Sequence, residues 1–387
     1  MEYQNYKGLK LSQIGVGCYS MSGAYGKKDV EKFKKMIERA YELGVNFFDT
    51  ADAYGNAEEI LGDVIKSFRD KVIISTKVGV KNNTKPKLSY DYIKSACEES
   101  LRNLSTNYID IYNVHFDDPD TPIEETIKAL EDLVEEGKIR KYGLGHLPKE
   151  KVIEYIEKGN IYSILMELSA ISRNSSKNLL PLCREKNIGG LAFSVTGRGL
   201  LTGKFDKNSK FGKGDIRKLD PQFQKERLEF SLKIKNKLRE IGERNKMSSV
   251  QVAIAWVLSQ DGIISALTGP SKVEHLEENV GGSKKELSKK EVKEIDEFIE
   301  EQERWLETEQ KNTVRNILNE ELAEDMEETF VDLIYCIETA ITNNYVKEEK
   351  IMPVFYKLYG MKNKLEQIKK SDLSDIQSKV REMIDIN

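Results

Sequence analysis

Residues 108–145 read YIDIYNVHFDDPDTPIEETIKALEDLVEEGKIRKYGLG and contain one complete strand–helix–strand repeat. The β-branched and aromatic run IDIYNV at 109–114 predicts a buried strand, and IRKYGL at 139–144 predicts a second one. Between them, residues 121–137 carry a threonine cap, a proline at the first helical position and a closing glycine, which together predict a helix. A strand, a helix and another strand in this order indicate a parallel sheet with crossover connections.

The same alternation continues along most of the chain. Short β-rich runs predict six further strands, at 12–17, 45–50, 72–77, 163–168, 188–193 and 264–269. Eight strands that alternate with helices over about 280 residues fit a (β/α)8 TIM barrel. A doubly wound sheet is the structural alternative, but it needs a GxGxxG turn after its first strand, and GVGCYS at 15–20 lacks the third glycine. We therefore predict an α/β fold, a (β/α)8 TIM barrel.

The barrel pattern ends near residue 300, and a helical pattern follows it. From Val314 to Ile341, apolar residues recur at helical spacing, and residues 371–384 repeat this pattern. We predict a barrel domain at 1–304 and an added C-terminal helical extension at 305–387. Ordinary packing onto the barrel or onto a second subunit of a homo-oligomer explains these apolar stripes. A lid, or a module that binds a protein partner, is the alternative.

The composition limits the partners of the chain. Its 387 residues are 39% hydrophobic and 33% charged with a net charge of only -4, which gives no global electrostatic case for nucleic acid or an anionic membrane. No apolar run approaches the roughly 18 residues of a membrane-spanning helix, and the start MEYQNYKGLK lacks the apolar segment of a secretory signal. Four scattered cysteines without a CxxC pair disfavour disulfides and structural zinc. We therefore predict a cytoplasmic protein without a metal.

Function in a barrel concentrates at the carboxyl ends of the strands and in the loops that follow them. By this rule Asp49 ends the second strand, and Tyr54 follows in its loop. Lys77 ends the third strand, and His115 ends the fourth. Each of these residues alone is more often structural than catalytic. Four of them on neighbouring strand ends form a candidate catalytic group.

These four side chains suit the donation of a proton to a developing alkoxide. A free tyrosine has a pKa of about 10, and a buried lysine ammonium beside it lowers this pKa by stabilising the phenolate. A carboxylate paired with that lysine keeps it charged, and a histidine can hydrogen-bond the substrate oxygen. The missing component is a source of hydride, so this chemistry requires a nicotinamide cofactor.

Two loops offer sites for the phosphate groups of such a cofactor. The stretch FSVTGRGLLTGKF at 193–205 has glycines that let backbone N–H groups approach phosphate, and Arg198 and Lys204 supply positive charge. This stretch is not a Walker A loop, since phenylalanine follows Lys204 where serine or threonine is required. After the eighth strand, Ser271 and Lys272 at a helix start suit a 2′-phosphate and favour NADPH over NADH. The alternative is a serine cap followed by a solvated lysine.

The residues closely resemble the aldo-keto reductase family over nearly all of 8–300. Matching stretches include DTADAYGNAEEILG at 49–62, STKVG at 75–79, GRGLLTGKF at 197–205 and the opening stretch at 108–145. The resemblance implies a (β/α)8 barrel that binds a nicotinamide coenzyme, usually NADPH, and that uses no metal.

The resemblance also implies roles for individual residues. By position, the catalytic tetrad of the family falls on Asp49, Tyr54, Lys77 and His115, and the tyrosine is the proton donor. The cofactor-binding positions fall on Gly17, Gly145, His146, Phe193, Ser194, Gly197, Arg198, Leu200, Lys204, Gly269, Ser271, Lys272, His275, Glu278 and Asn279.

The chain departs from the family where the carboxamide of nicotinamide is usually held. Gly145 and His146 stand at a serine–asparagine pair, and Leu165 stands at a glutamine. Phe193 replaces a tyrosine that stacks on the nicotinamide ring, although a phenyl face can still stack. His275 replaces the more usual glutamine of the adenine-binding segment. We expect His146 to take over part of the carboxamide contact.

Two functions from different classes follow from this pattern. The first is an NADPH-dependent oxidoreductase that transfers a hydride between nicotinamide and a small-molecule carbonyl or alcohol. The alternative is a cofactor-binding regulatory or scaffold subunit, in which the barrel senses redox state and the helices of 305–387 bind a partner. A further possibility is another reaction on a retained nucleotide site, such as oxidation, epimerisation or elimination on a sugar or a peptide-derived substrate.

Overall fold

A computed structural model of the chain, describing residues 1–24, 29–80, 85–212, 215–343, 345–361 and 369–384, contains a closed barrel of parallel strands. The strands, in chain order, are β1 (Tyr3–Tyr6), β2 (Leu9–Ser12), β3 (Ile14–Gly17), β4 (Phe47–Asp49), β5 (Ile73–Val78), β6 (Ile109–Phe116), β7 (Ile139–His146), β8 (Ser163–Glu167), β9 (Gly189–Phe193) and β10 (Ile263–Thr268). The barrel contains β3 to β10, each strand lying parallel to the next, and β10 pairs with β3 to close it. The predicted (β/α)8 barrel is confirmed.

Helices separate the barrel strands and continue beyond the last one. They are α1 (Val30–Glu42), α2 (Ala57–Ile65), α3 (Tyr90–Asn103), α4 (Ile123–Glu135), α5 (Lys149–Lys158), α6 (Asn174–Asn178), α7 (Leu180–Glu185), α8 (Lys225–Asn245), α9 (Ser249–Leu258), α10 (Val273–Val280), α11 (Lys289–Asn319), α12 (Met326–Thr342), α13 (Glu348–Gly360) and α14 (Lys370–Met383). Among these helices, none combines the length and the apolar character needed to cross a lipid bilayer. The predicted C-terminal helical segment is confirmed by the last four.

The barrel interior is filled by apolar side chains that neighbouring strands contribute. Phe47, Ile73 and Ile111 project from β4, β5 and β6 into one core cluster, and this cluster also contains Leu165 and Leu191. All five side chains are at most 7% exposed. Because side chains alternate across a strand, the intervening residues face the helices that surround the barrel. This core fixes the strand ends at which the site lies.

An antiparallel hairpin precedes the barrel and was not predicted. Strands β1 and β2 pair from Tyr3 with Ser12 to Tyr6 with Leu9, and Lys7 and Gly8 form the turn with φ of 42° and 88°. Two central residues at positive φ are typical of a type I′ hairpin. Most of β1 is exposed, so its sequence lacks the apolar alternation that reveals a half-buried strand.

The start of α4 also differs from the sequence-based prediction. The helix begins at Ile123, with Pro122 as its N-cap residue, so neither the threonine cap nor the proline at the first helical position is present. The hydroxyl of Thr121 instead donates a hydrogen bond of 2.6 Å to Asp118. This bond occupies the side chain that would have capped the helix.

The described chain divides into two compact units. One contains Met1–Phe205 and Lys235–Ile295, and the other contains Asp206–Ile234 and Asp296–Asn387. The boundary expected between residues 304 and 305 falls inside α11, where the helix continues without a break. The division into compact units therefore differs from the predicted division at residue 304. The domain boundary at that residue stays a prediction.

The second unit has an apolar core of its own. Its buried members come from α11, α12, α13 and α14 and include Val314, Phe330, Leu333, Leu358 and Leu373. Polar contacts join residues 206–234, which include the start of α8, to these helices. The Arg227 guanidinium donates a hydrogen bond of 3.1 Å to Thr339, and the Tyr335 hydroxyl donates one of 2.9 Å to Glu226. These contacts explain why residues 206–234 group with the C-terminal helices.

Candidate active site

A buried ion pair lies at the carboxyl ends of β4 and β5. The Lys77 ammonium donates hydrogen bonds of 2.6 Å to Asp49 Oδ2 and of 2.6 Å to the backbone oxygen of Thr50. The Ser75 hydroxyl donates a further bond of 2.7 Å to Asp49 Oδ1. Asp49 and Lys77 are 5% and 3% exposed, so each charge depends on the other rather than on water.

Tyr54 lies beside this ion pair, in the turn that leads from β4 into α2. Its backbone N–H bonds the oxygen of Ala51 at 3.1 Å, which fixes the turn. The Lys77 ammonium is 5.0 Å from the centre of the Tyr54 ring, and its positive charge acts on the phenol. Burial raises the pKa of Tyr54 overall, although the Lys77 charge opposes this rise. Lys77 therefore lowers the pKa of Tyr54 as expected, but by less than burial raises it.

The charge states of Lys77 and His115 follow from their surroundings. Burial lowers the pKa of Lys77, but Asp49 and Tyr54 together raise it above its ordinary value, so the ammonium stays charged. Burial and the positive charge of Lys77 hold the pKa of His115 well below its usual range, so this imidazole is neutral at physiological pH. The His115 ring lies 6.0 Å from the Tyr54 ring. The structure thus brings all four candidate catalytic residues together at one end of the barrel.

The loop after β9 has an unusually curved backbone. Ser194, Gly197, Arg198 and Gly199 have φ of 55°, 58°, 55° and 96°, so the 3₁₀-type turns of Gly197–Thr202 are interrupted by a kink at Arg198 and Gly199. Left-handed residues in a turn form concave arrangements of backbone N–H groups that bind anions. Leu200 is fully buried, so its apolar side chain is not available to a ligand.

The loop after β10 adds positive charge from the same compact unit. Helix α10 begins at Val273 with Lys272 as its N-cap residue and without a side-chain cap, so Ser271 does not cap it. Ser271 and Lys272 are both exposed. Burial, followed by the positive charges of Lys204 and Lys272, lowers the pKa of His275. The cations of the two loops therefore both act on the charge of one imidazole.

Two of the remaining predicted cofactor positions, Gly17 and Gly269, lie at the carboxyl ends of β3 and β10. Gly17 ends β3, and a Cβ added at Gly269 would lie 3.8 Å from the Gly17 backbone oxygen, in ordinary contact. Glu278 and Asn279 belong to the last turns of α10, where Asn279 is buried. The Glu278 backbone oxygen accepts a hydrogen bond of 3.1 Å from Gln251.

Gly145 is required by strand packing. A Cβ at this position would lie 2.7 Å from the backbone oxygen of His115 and 2.8 Å from that of Val114, which is too close for any side chain. Leu165 is part of the apolar barrel core. His146 is accessible and stands between Phe116, at 5.1 Å, and Phe193, at 4.9 Å between ring centres. Of the three altered carboxamide positions, His146 is the one with a polar side chain.

Four residues near the site were not singled out from the sequence. Tyr19 contacts the Tyr54 ring edge-on at 5.1 Å, and Phe116 stacks on His115 at 4.5 Å. Glu167 ends β8 and forms an ion pair of 3.2 Å with Arg198. Burial, followed by the negative charge of Glu58, raises the pKa of Asp52 to about 7. The strand-end rule could have found the first three, because each lies at or just beyond the end of a barrel strand.

Comparison with known proteins agrees with this geometry. The aldo/keto reductase family matches residues 13–300. Probable aldo-keto reductase 1 of Glycine max is 34% identical over 301 residues, which cover 76% of this chain and 87% of that protein. Aldo-keto reductase yakc of Schizosaccharomyces pombe, whose name specifies NADP(+), is 33% identical over 294 residues, covering 73% of this chain and 86% of that protein.

Solved structures show the same similarity. A glycerol dehydrogenase from Gluconobacter oxydans superposes with a TM-score of 0.70 at 30% identity, covering 76% of this chain and 94% of that chain. A holo-form aldo-keto reductase from Bacillus halodurans superposes with a TM-score of 0.64 at 28% identity, covering 77% and 96%. The chain therefore belongs to the aldo/keto reductase family of oxidoreductases.

Proposed function

We propose that the chain is an NADPH-dependent oxidoreductase that transfers a hydride between nicotinamide and a carbonyl or alcohol substrate, with Tyr54 as the proton donor. The observation that carries this proposal is the buried Asp49–Lys77 ion pair, whose ammonium lies 5.0 Å from the centre of the Tyr54 ring. A structural ion pair would not need a tyrosine hydroxyl beside it, whereas a proton donor needs a nearby cation to stabilise its phenolate.

In the direction of reduction, Tyr54 donates its proton to the carbonyl oxygen as negative charge develops there. The resulting phenolate is costly in a buried site, and the Lys77 ammonium offsets this cost. Asp49 keeps Lys77 charged and holds it in place. A neutral His115 can donate an N–H hydrogen bond to the same oxygen, and it does so without placing a second cation beside Lys77.

The chain has residues that fit the cofactor. NADPH, when bound, supplies the hydride. The curved backbone at 194–199 suits the pyrophosphate, while Lys204, Lys272 and Ser271 offer an ammonium pair and a hydroxyl for a 2′-phosphate. This donor set favours NADPH over NADH, and the NADP(+)-specific name of the yeast relative supports the same preference. Phe193, half-buried at the end of β9, offers a face for the nicotinamide ring.

We further propose that His146 binds the carboxamide of nicotinamide. The rings of Phe116 and Phe193 partly shield the accessible imidazole from water, and this shielding, followed by the positive charges of Lys77 and Arg198, lowers its pKa, so the ring offers one N–H donor and one acceptor nitrogen. Either group can pair with a carboxamide, the N–H with its oxygen or the acceptor nitrogen with its NH2. Replacing His146 by alanine should weaken NADPH binding by about tenfold, the equivalent of one lost hydrogen bond. Unchanged NADPH affinity, measured by fluorescence titration, would remove this role from His146.

The loss of NADPH absorbance with a panel of aldehydes and ketones tests the proposed function. We expect turnover with NADPH, and a lower kcat/KM with NADH because a 2′-hydroxyl leaves Lys272 without its anion. Tight NADPH binding with no turnover of any carbonyl or alcohol would contradict the enzyme and favour the regulatory subunit. That alternative is not favoured, because relatives of this chain are named as reductases and oxidoreductases. A partner for the helices of 305–387 remains a prediction.

A further inference from the structure

A chain of hydrogen bonds inside the barrel leads to the buried ion pair of the candidate site. The side-chain NH2 of Asn113, on β6, donates a hydrogen bond of 2.9 Å to the Ser75 hydroxyl on β5. That hydroxyl donates one of 2.7 Å to Oδ1 of Asp49, whose other oxygen accepts the bond from Lys77. Asn113 and Ser75 are fully buried, so solvent does not compete for these bonds. Asn113 is therefore joined to the ion pair through one serine.

A backbone carbonyl fixes the direction in which the Asn113 amide points. Its NH2 group also donates a hydrogen bond of 3.2 Å to the backbone oxygen of Thr76, and a carbonyl oxygen can only accept. Turning the amide over would place its own oxygen against that carbonyl. Both hydrogens of the NH2 group are thus used, one by Thr76 and one by Ser75.

The oriented amide acts on the hydroxyl of Ser75. A serine hydroxyl has a single hydrogen, and because Asn113 donates to the Ser75 oxygen, that hydrogen is left for Asp49. In a buried chain of this kind each bond polarises the next one, so the bond from Asn113 makes Ser75 a stronger donor. Asn113 therefore strengthens the hydrogen bond that Asp49 receives.

The charge of Asp49 matters for proton transfer because it opposes ionisation of the Tyr54 phenol. The ionisable groups that face this phenol include Lys77, Asp49, Tyr19 and His115. After burial, the charge of Lys77 lowers the pKa of Tyr54 and the charge of Asp49 raises it. A hydrogen bond from Ser75 disperses part of the negative charge of Asp49. Weakening that bond would make Tyr54 a weaker acid.

We propose that Asn113 is a positioning residue for proton transfer, and that it acts on Asp49 and hence on Tyr54 through the hydroxyl of Ser75. Asn113 lies two positions before His115 on the same strand, but the rule of strand ends does not select it, because it lies inside the barrel. This inference rests on the proposed oxidoreductase function and adds a residue to its machinery.

Asn113→Leu, Ser75→Ala and the double variant test the proposal in the full-length chain, with NADPH and with benzaldehyde and glyceraldehyde as carbonyl probes. We expect Ser75→Ala to lower kcat by about 2- to 12-fold, the rate equivalent of one hydrogen bond, and Asn113→Leu to lower it by about 2- to 5-fold. The double variant should be no slower than Ser75→Ala, because Asn113 acts through Ser75. KM for NADPH should stay unchanged, which separates a loss in the chemical step from a loss of cofactor binding.

Ser163→Ala is the matched control. Ser163 lies on β8 and is fully buried like Ser75, but its hydroxyl has no hydrogen-bond partner among the described residues. A Cβ added at Gly143 would lie 2.5 Å from Asn113 Oδ1 and 2.8 Å from Ser163 Oγ, so both oxygens face the same point. The substitution therefore changes the surroundings of Asn113 without removing any bond that its NH2 group donates. We expect the wild-type kcat for this variant.

The ionisation of Tyr54 provides a readout that needs no turnover. In chain labelled with carbon-13 at Cζ of tyrosine, the NMR signal of Tyr54 is assigned by its loss in Tyr54→Phe. At about pH 10.5, the ratio of phenolate to phenol at Tyr54 should be about 2- to 5-fold lower in Asn113→Leu than in the wild type. Ser75→Ala should lower the same ratio, and it serves as the test if Asn113→Leu does not fold.

The outcomes separate this proposal from the function on which it rests. An unchanged ratio in both variants, or losses of kcat that multiply in the double variant, would overturn the role of Asn113 and leave the oxidoreductase intact. A loss of kcat in Ser163→Ala equal to that in Asn113→Leu would overturn it as well, because the core would then act only as packing. No turnover of any carbonyl by the wild type would remove the oxidoreductase, and the ratio would still decide whether Asn113 acts on Tyr54.

Discussion

Replacing Lys77 by methionine should destabilise the barrel more than an ordinary core substitution does. The ammonium makes two bonds of 2.6 Å, and its loss leaves the Asp49 carboxylate, 5% exposed, with the Ser75 hydroxyl as its remaining side-chain donor. Breaking a buried ion pair on one side typically costs about 3–5 kcal/mol. We expect a loss of this size in the free energy of unfolding of Lys77→Met.

The double variant Asp49→Asn with Lys77→Met separates charge from packing. It contains no buried charge at this position, and a neutral pair can be nearly as stable as the original. We therefore expect the double variant to recover at least about 2 kcal/mol of the loss, which a double-mutant cycle measures as coupling.

Guanidinium unfolding followed by tryptophan fluorescence provides the assay. The chain has two tryptophans, of which Trp256 is buried in α9 of the barrel unit, so a Trp305→Phe background makes the signal specific to that unit. A double variant that is as unstable as Lys77→Met, or less stable, would exclude the uncompensated Asp49 charge as the cause. The instability would then come from lost lysine packing and not from an uncompensated charge.

Two further predictions concern residues around the site. The raised pKa of Asp52, about 7 against about 3.9 in the unfolded chain, means that the native state binds the extra proton between these values, so stability falls as pH rises through that window, by up to about 4 kcal/mol. Asp52→Asn should abolish this decline in thermal unfolding measured from pH 4 to 8, and an unchanged slope would exclude Asp52 as its source. Gly145→Ala should cost about 1–3 kcal/mol because its Cβ would lie 2.7 Å from the His115 oxygen, whereas Gly269→Ala meets its nearest atom at 3.8 Å and should be nearly neutral. Equal unfolding midpoints for the two alanine variants would contradict the strand-packing account of Gly145.

The barrel could be predicted because its signal is repeated along the chain. Each predicted strand, such as 45–50 or 109–114, carries enough β-branched and aromatic residues to be recognised without its neighbours. The hairpin of β1 and β2 has no such signal, since its first strand is exposed and its turn depends on the backbone of Lys7 and Gly8. The grouping of residues 206–234 with the C-terminal helices depends on contacts such as Arg227 with Thr339, which no local pattern contains.

The candidate site, like the fold, could be predicted from the sequence only in part. Asp49, Tyr54, Lys77 and His115 could be found because the rule of strand ends brings distant residues to one rim. The rise in the pKa of Tyr54 could not be predicted from the sequence, because it depends on how deeply the ring is buried as well as on the charge of Lys77. The sequence does not show why position 145 is a glycine. The structure does, because the backbone of β6 lies too close to Gly145 for a side chain. Pairing of Arg198 with Glu167 likewise required the fold.

A single-turnover measurement shows whether Tyr54 donates the proton. Enzyme and NADPH are mixed with excess benzaldehyde, and the loss of NADPH absorbance is followed for the wild type, Tyr54→Phe and the matched hydroxyl deletion Tyr19→Phe. We expect Tyr54→Phe to slow this step by about 10²- to 10⁴-fold, while its affinity for NADPH stays unchanged and Tyr19→Phe remains within a few-fold of the wild type. Wild-type rates in Tyr54→Phe, with hydride still transferred, would contradict Tyr54 as the proton donor.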